Sequence, residues 1–198
     1  LDRVERIVGF LERADAFDGV YPHFLNGTTG RVLPFMRGDD GGDLVETAFL
    51  MTGLLGAAAY FTEAPELVER IEALFGRVNW ASHVREDGAV MWHRHPDRPW
   101  PDNALPIRGW NECLPVFILG VGSQSHPIPV RSYHESWAKT PSFVNGRDYC
   151  GVRLPLGPDW GGPLFMSQYP FLGIDPRGLS DAYADYGDHV RAHALVNR

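Results

Sequence analysis

The stretch Gly38–Glu46 places four acidic residues and three glycines within nine positions, and a strongly apolar segment follows at once. Asp39, Asp43 and Glu46 are spaced by four and then three residues, so an early helix start would stack three carboxylates on one face. Like charges placed in this way repel each other, which favours a polar functional site. The alternative is a capped helix start. Asp43 would then be the N-cap and Glu46 its capping-box partner, with Asp39 and Asp40 favoured by the helix dipole.

Strongly apolar segments begin near residues 43, 111 and 163, and amphipathic or polar segments begin near residues 65, 131 and 180. The first apolar segment is hydrophobic almost all round, which predicts a helix that is buried on most sides. Alternating buried and amphipathic helices are typical of an all-α (α/α)6 toroid, with an irregular helical bundle as the alternative. The long loops before the buried helices would open at the same end of the inner ring, where we expect the site.

Shorter elements complete this prediction. Residues 1–16 have helical periodicity, and 130–138 predict a short exposed helix. Residues 80–95 predict a hairpin around Glu86-Asp87-Gly88, and 149–156 predict a strand pair or an extended stretch. A loop rich in proline and tryptophan covers 96–108.

Length and charge exclude several classes of protein. The 198 residues are enough for one domain with a sizeable core. A net charge of -7 without a basic patch argues against a nucleic-acid partner. No apolar run reaches the length of a membrane span. Cys113 and Cys150 do not form a disulfide framework; two core thiols are the favoured interpretation, with one bridge left open.

The sequence predicts neither a cofactor nor a metal. The pairs His93/His95 and His189/His193 each lack a third ligand, and the acidic stretch 39–43 lacks the spacing of an EF-hand. No glycine-rich phosphate loop, zinc pattern or nucleophile elbow is present.

Aromatic residues make up 12% of the chain, and many of them follow or precede glycine, proline, asparagine or aspartate. Rings in loops suit carbohydrate binding, because apolar sugar faces stack on them while hydroxyls bond to polar side chains. The candidate sugar platforms are Trp92, Trp100, Trp110 and Trp160. Core packing is the alternative for each of them.

Glu112 is a second candidate for acid chemistry, because it lies at the start of a buried segment after Trp110 and Asn111. Desolvation there would raise the pKa of its carboxyl, as a general acid requires. The helix dipole would act in the opposite direction. A first-turn glutamate that caps its own helix is the alternative.

Several long runs together resemble the glycoamylase-like domain shared by bacterial endo-β-1,2-glucanases and the C-terminal part of cyclic β-1,2-glucan synthases. They are PHFLNGTTG (22–30), DDGGDLVETAFLMTGLL (39–55), GWNECLPVFILG (109–120), SHPI (125–128), GGPLFMSQYPFLGIDPRGL (161–179) and the closing helix. The resemblance covers nearly all of the chain in order, and runs of this length are specific.

The resemblance implies an (α/α)6 barrel that acts on β-1,2-linked glucan with two carboxyl groups. One protonates the glycosidic oxygen, and the other activates water or attacks the sugar. Glu112 is then the expected general acid. Asp39, Asp43 and Glu46 are expected in substrate contact or water activation, and none is singled out as the base. The candidate substrate-binding residues are His23, Asn26, Asp40, Trp92, Trp110, Asn111 and Arg177, with a structural turn as the alternative for Arg177.

A β-1,2-glucan hydrolase is the leading functional hypothesis. A transglycosylase domain of a cyclic glucan synthase and a non-catalytic sugar-binding module are the alternatives. Residues 1–198 are expected to be part of a single catalytic domain, because about seven helices are visible where the toroid needs six inner and six outer ones. We therefore expect a piece of a longer protein with an exposed apolar flank. The resemblance implies a periplasmic or secreted location.

Overall fold

The computed structural model describes residues 1–95, 97, 100 and 104–198. Helices and short antiparallel strand pairs alternate along this part of the chain. The α-helices are α1 (Asp2–Leu11), α2 (Leu44–Tyr60), α3 (Pro65–Arg77), α4 (Leu114–Gly122), α5 (Val130–Ser132) and α6 (Tyr186–Val196). The strands pair as β1 (Phe24–Leu25) with β2 (Val32–Leu33), β3 (Gly42–Asp43) with β4 (His93–Arg94), and β5 (Val144–Tyr149) with β6 (Val152–Leu156).

Helix α2 is the central element of the core and packs against both α3 and α4. One side of α2 is buried through Leu44, Ala48, Met51 and Leu54. The opposite side is open, because a side chain added at Gly53 or Gly56 would meet no other atom within 4 Å. The prediction of a helix buried on most sides is therefore wrong for this face, where small residues leave room for a cavity.

Helix α2 begins where it does because Asp43 caps it. The Oδ1 atom of Asp43 accepts the backbone N–H groups of Val45 and Glu46, each at 3.0 Å. The N–H of Asp43 donates to the carbonyl of Tyr21 at 2.8 Å, so Glu46 does not complete a capping box. The N-cap alternative is confirmed. The stack of three carboxylates on one helix face is wrong, because Asp39 and Asp43 both precede the helix.

The third buried helix, which we expected near residue 163, does not form. The segment folds instead into two short 3₁₀ turns, Leu164–Ser167 and Tyr169–Phe171. Pro170 has no amide hydrogen for a continuing helix and disfavours the helical conformation of the residue before it. Apolar composition alone did not distinguish this arrangement from a buried helix.

Two other helix predictions also need correction. Helix α6 begins at Tyr186 rather than near 180, because the side chain of Asp185 accepts the N–H of Asp188 at 2.9 Å and caps the helix there. The segment 130–138 forms the single turn α5 and a π-helical turn, Tyr133–Ala138. It is not an exposed helix, since the Trp137 ring is fully buried and stacks on Phe117 at 4.5 Å.

Both predicted hairpins are present in the described residues. An antiparallel bridge joins Val84 to Val90 around the turn at 86–88, although the preceding residues Trp80–His83 form a 3₁₀ turn. Strands β5 and β6 form the second hairpin. Its turn residues Cys150 and Gly151 have φ of 52° and 83°, as a tight type I′ turn requires.

The remaining chain-wide predictions have mixed outcomes. Both cysteines are free, but only Cys113 is buried, so the prediction of two core thiols is wrong for the exposed Cys150. Among the described residues, no helix combines the length and the hydropathy that crossing a membrane requires. Within the predicted loop 96–108, residues 96, 98, 99 and 101–103 lie outside the described residues.

Candidate active site

A cavity of about 530 Å³ lies between the start of α2, the start of α4 and the turn Tyr169–Phe171. Glu46 and Glu112 are the two carboxyl-bearing residues in its lining. An apolar cavity with a few convergent polar groups is the arrangement expected of an active site. The lining residues are Val45, Glu46, Phe49, Thr52, Gly53, Gly56, Glu112, Tyr169, Leu172 and Gly173.

Glu112 reaches the cavity from the loop that precedes α4. Helix α4 has Cys113 at its N-cap position and receives no side-chain cap from it. Instead, the Oδ1 atom of Asn111 accepts the N–H of Cys113 at 3.1 Å. Burial raises the pKa of the half-buried Glu112 carboxyl, although a hydrogen bond from its own backbone N–H acts in the opposite direction. Glu112 therefore keeps its proton to a higher pH than an ordinary glutamate, as a general acid requires.

Glu46 faces the same cavity from the first turn of α2. Burial is the largest cause of its raised pKa, followed by the negative charges of Asp43 and Glu112, while His23 partly opposes them. The two glutamates are thus close enough for one charge to influence the other. Two carboxyls with raised pKa values in one cavity are typical of acid–base sites.

The buried Asp43 pairs with the partly buried His23 beside this cavity. The Nδ1 atom of His23 lies 2.9 Å from Asp43 Oδ2 and 4.0 Å from Glu46 Oε1. The ring of His23 also packs against Phe24 and Phe35, with centroids 4.6 and 4.2 Å away. Burial raises the pKa of Asp43, against the hydrogen bonds from Glu46 N–H and His23. Asp43 is 1% exposed and does not line the cavity, so its present contacts are structural.

Asp39 and Asp40 lie just before this pair. Asp39 is 8% exposed, and its backbone closes a turn through hydrogen bonds with Phe35 and Met36. Its charge contributes to the raised pKa of Asp43. Neither aspartate is among the lining residues of the cavity, so of the acidic stretch only Glu46 reaches it.

The structure places Trp110 in the core rather than at a binding surface. Its ring is 2% exposed and stacks on Trp137 and Tyr186, with centroids 5.8 and 5.7 Å away. Its Nε1–H donates to Ser167 Oγ at 3.1 Å. The prediction of Trp110 as a sugar platform is wrong in this structure, because the ring has no free face. The neighbouring Asn111 is half-buried, and its side-chain oxygen is used by the helix start.

Ser167 is the centre of a buried network that sequence reasoning missed. Its Oγ lies 2.7 Å from His189 Nε2 and 2.6 Å from His193 Nδ1. The other ring nitrogen of His193 lies 3.2 Å from the carbonyl of Gly162, to which it donates. The hydroxyl therefore donates to His193 and accepts from Trp110 and from His189. Burial lowers the pKa of His189 to about 3, so this histidine stays neutral.

The other predicted contacts lie outside the cavity lining. Asn26 caps the β1–β2 turn, where its Oδ1 accepts the N–H groups of Thr28 and Thr29. Arg177 is exposed and pairs with Asp175 at 2.7 Å, which is the structural turn considered as the alternative. Trp92 is partly buried against the core. Roles of these residues in substrate binding stay predictions.

Sequence reasoning also missed most of the cavity walls. Phe49, Tyr169 and Leu172 look like core residues in the sequence, but they line the cavity. The available signal was the pair Gly53 and Gly56, three residues apart on one face of an apolar helix. Among the residues that the structure describes, no group of three or more His, Cys, Asp or Glu is placed to hold a metal ion.

Comparison with known proteins identifies similar sequences and structures. The Glycoamylase family model, described as "Putative glucoamylase", matches residues 104–198. The exo β-1,2-glucooligosaccharide sophorohydrolase (non-reducing end) of Parabacteroides distasonis is 33% identical across 100% of this chain and 31% of its own length. The endo-β-1,2-glucanase of Chitinophaga pinensis, solved with sophorotriose and glucose, is 42% identical, with a TM-score of 0.93 over 99% of this chain and 49% of its own.

A crystal structure from Bacteroides uniformis, also described as a "putative glucoamylase", is 42% identical to this chain. Its TM-score is 0.94, and the match covers 99% of this chain and 49% of the Bacteroides uniformis chain. The chain thus has the fold of the glucoamylase-like and glucanase structures, and its resemblance to the glycoamylase-like domain of β-1,2-glucanases is confirmed. It spans 31% of the curated relative and about half, 49%, of these two solved chains.

Proposed function

We propose that the protein to which this chain belongs is a glycoside hydrolase that cleaves β-1,2-linked glucan. The observation that carries the proposal is the pair Glu46 and Glu112, which line one largely apolar cavity. The names of the relatives, a β-1,2-glucanase and a β-1,2-glucooligosaccharide sophorohydrolase, support the same linkage. We also infer that the complete domain is an (α/α)6 toroid and that it acts in the periplasm or outside the cell.

In this proposal Glu112 is the general acid. Its carboxyl keeps a proton to a higher pH than an ordinary glutamate because it is half-buried, and it gives that proton to the glycosidic oxygen as the bond breaks. After proton transfer the leaving sugar departs with a neutral hydroxyl.

Glu46 supplies the second carboxyl function on the same cavity. As a carboxylate it accepts a proton from the attacking water or stabilises the positive charge that develops on the sugar. Asp43 and His23 act behind it, because the Asp43 carboxylate fixes the first turn of α2 and the His23 ring lies beside both side chains. Phe49 and Tyr169 provide rings against which apolar sugar faces can stack.

The test is Glu112→Gln in the full-length protein, with linear β-1,2-glucan as substrate. The amide keeps the shape and hydrogen-bonding capacity of the side chain but removes the proton donor. We expect the turnover rate to fall by about 10²- to 10⁴-fold while glucan affinity is retained. Turnover is measured by the release of reducing ends and affinity by calorimetry.

Glu69→Gln is the matched control, because Glu69 is an exposed glutamate on α3. Wild-type turnover in Glu112→Gln contradicts its role as the acid. A parallel loss of turnover and affinity makes Glu112 a substrate contact instead. Cyclic product without net hydrolysis in the wild type favours a transglycosylase. Binding of glucan without any reaction favours a sugar-binding module.

A further inference from the structure

We propose that Trp160 and the polar groove beside it form a second glucan-binding site, separate from the cavity that holds Glu46 and Glu112. This inference rests on the proposed function for the identity of the sugar. Trp160 is 57% exposed, although tryptophan is among the most apolar and costly side chains to leave in water. Its ring contacts that of Tyr149, with the centroids 4.7 Å apart and the two planes tilted by 44°.

The backbone of Trp160 is held in an unfavourable conformation. Its φ of 62° and ψ of 9° lie in the left-handed region, which bulky side chains rarely adopt. Glycine adopts this conformation without strain, and it occupies the next two positions, 161 and 162. Position 160 is nevertheless a tryptophan. Strain of this kind clusters at functional sites.

A groove of about 420 Å³ includes Asp159, the residue before Trp160, in its lining. Asn145 and the exposed ion pair of Arg147 with Asp159 supply its polar groups, and Gly157 and Pro158 also line it. Hydroxyl groups of a sugar can bond to amide, guanidinium and carboxylate side chains while the sugar face stacks on a ring. The combination of an exposed ring and a polar groove therefore fits an oligosaccharide.

Hydrogen bonds connect the groove to the platform. The amide nitrogen of Asn145 donates to the carbonyls of Gly157 and Pro158 at 3.1 and 2.7 Å, and lies 3.3 Å from the hydroxyl of Tyr149. That hydroxyl in turn lies 3.4 Å from Asp159 Oδ1. The groove walls and the support of the Trp160 ring are thus parts of one rigid unit.

The inner wall of this groove adjoins the loop that carries Glu112. Ser142, a groove residue, accepts the N–H of Trp110 through its carbonyl at 3.0 Å. A Cβ atom added to Gly157 would lie 3.5 Å from Trp110 Cδ1. The groove thus packs against the segment that bears the proposed acid, and we expect it to add affinity for glucan chains long enough to reach both sites.

The experiment measures binding of β-1,2-linked oligosaccharides of increasing length, from the disaccharide upward, by calorimetry. It uses full-length protein carrying Glu112→Gln so that turnover does not interfere. Adding Trp160→Gly should weaken binding of the longer oligosaccharides by roughly three- to tenfold, because one ring contact is lost. Binding of the disaccharide and the melting temperature should not change, since glycine also relieves the backbone strain.

Trp160→Phe should restore most of the affinity, because it retains an aromatic face. Tyr60→Ala is the control, as Tyr60 is another exposed ring, 79% exposed at the end of α2. Unchanged affinity for every length in Trp160→Gly would overturn the proposal. A fall in melting temperature with equal losses for all lengths would also overturn it, by showing a structural role. If the parent protein binds no β-1,2-glucan, the proposed function itself fails.

Discussion

Helices α2 and α4 both begin at the cavity, but their first turns are stabilised in different ways. At the start of α2, the buried carboxylate of Asp43 accepts two backbone N–H groups and contacts His23. At the start of α4, the neutral amide of Asn111 accepts one N–H, and the capping position is occupied by Cys113. A charge fixes the first helix start, whereas a neutral group fixes the second.

This difference decides which carboxyl is free for chemistry. In α2 the capping aspartate is committed to the backbone, and the carboxyl that reaches the cavity is Glu46, three residues later. In α4 the capping task falls to a neighbouring side chain, so Glu112 itself reaches the cavity. Capping and acid chemistry compete for the same residue types, and in both helices the capping side chain precedes the carboxyl that reaches the cavity.

Removing the charged cap should give the largest change in stability. Asp43→Ala leaves the N–H groups of Val45 and Glu46 without their acceptor and His23 without its partner. We expect the free energy of unfolding to fall by about 2–4 kcal/mol, which combines the loss of a helix cap with that of a buried charge-assisted hydrogen bond. Chemical denaturation of the full-length protein measures this loss.

Asp43→Asn is the matched control for this prediction, because asparagine is an equally good N-cap and loses only the charge. Asp43→Asn should therefore lose less than half of the free energy of unfolding that Asp43→Ala loses. If Asp43→Ala and the wild type unfold at the same denaturant concentration, the distinction between a charged and a neutral helix start is unfounded.

Just before the second helix start, the hydroxyl of Ser167 holds the side chain of Trp110. Ser167→Ala removes the acceptor of the Trp110 and His189 N–H groups, both of which are buried. We expect a loss of about 1–3 kcal/mol, the usual cost of leaving buried donors unpaired. Thermal melting measures it, and Ser136→Ala is the control, since that hydroxyl bonds to a single carbonyl. A loss no larger than that of the control would mean that water replaces the hydroxyl.

The smallest effect concerns the pH dependence that Glu112 contributes. Burial raises the pKa of its carboxyl in the folded state above the ordinary value of 4.5. The protonated, neutral form of Glu112 therefore makes its full contribution to stability below about pH 4.5. This contribution is lost as the pH rises through the raised pKa of the folded state. Glu112→Gln avoids the loss, so its stability relative to the wild type should increase between about pH 4.5 and neutrality.

Melting temperatures of both proteins across this pH range provide the measurement. Glu69→Gln on α3 controls for the removal of an exposed carboxyl. A difference that stays constant with pH, or that grows towards acid, would show that the Glu112 carboxyl is not stabilised in its neutral form.

Local patterns predicted the parts of the fold that depend on nearby residues. The sequence Asp43-Leu44-Val45-Glu46 contained the helix cap as one of two alternatives, and Pro65 marked the start of α3, where it occupies the first turn. Glu112 was singled out because it lies at the start of an apolar segment, where desolvation raises the pKa of a carboxyl, and because the resemblance implied the same role. In each case the deciding interactions lie within a few residues of one another.

Interactions between distant residues were not predictable in this way. Ser167 meets His189 and His193 across 22 and 26 positions of the chain, and tertiary packing alone brings them together. The cavity behind Gly53 is likewise formed by Leu172 and Gly173 from a remote segment. Hydrophobic periodicity shows that a segment is buried, but it does not show which segment covers it.

The left-handed turn between β5 and β6 also has a practical consequence for chemical labelling. It exposes the thiol of Cys150, whereas burial raises the pKa of the Cys113 thiol well above its ordinary value. Since the thiolate is the reactive form, a maleimide dye should attach to Cys150 and spare Cys113. The dye would then be adjacent in sequence to Tyr149, on which the Trp160 ring rests, and its fluorescence could report the arrival of a ligand at that surface.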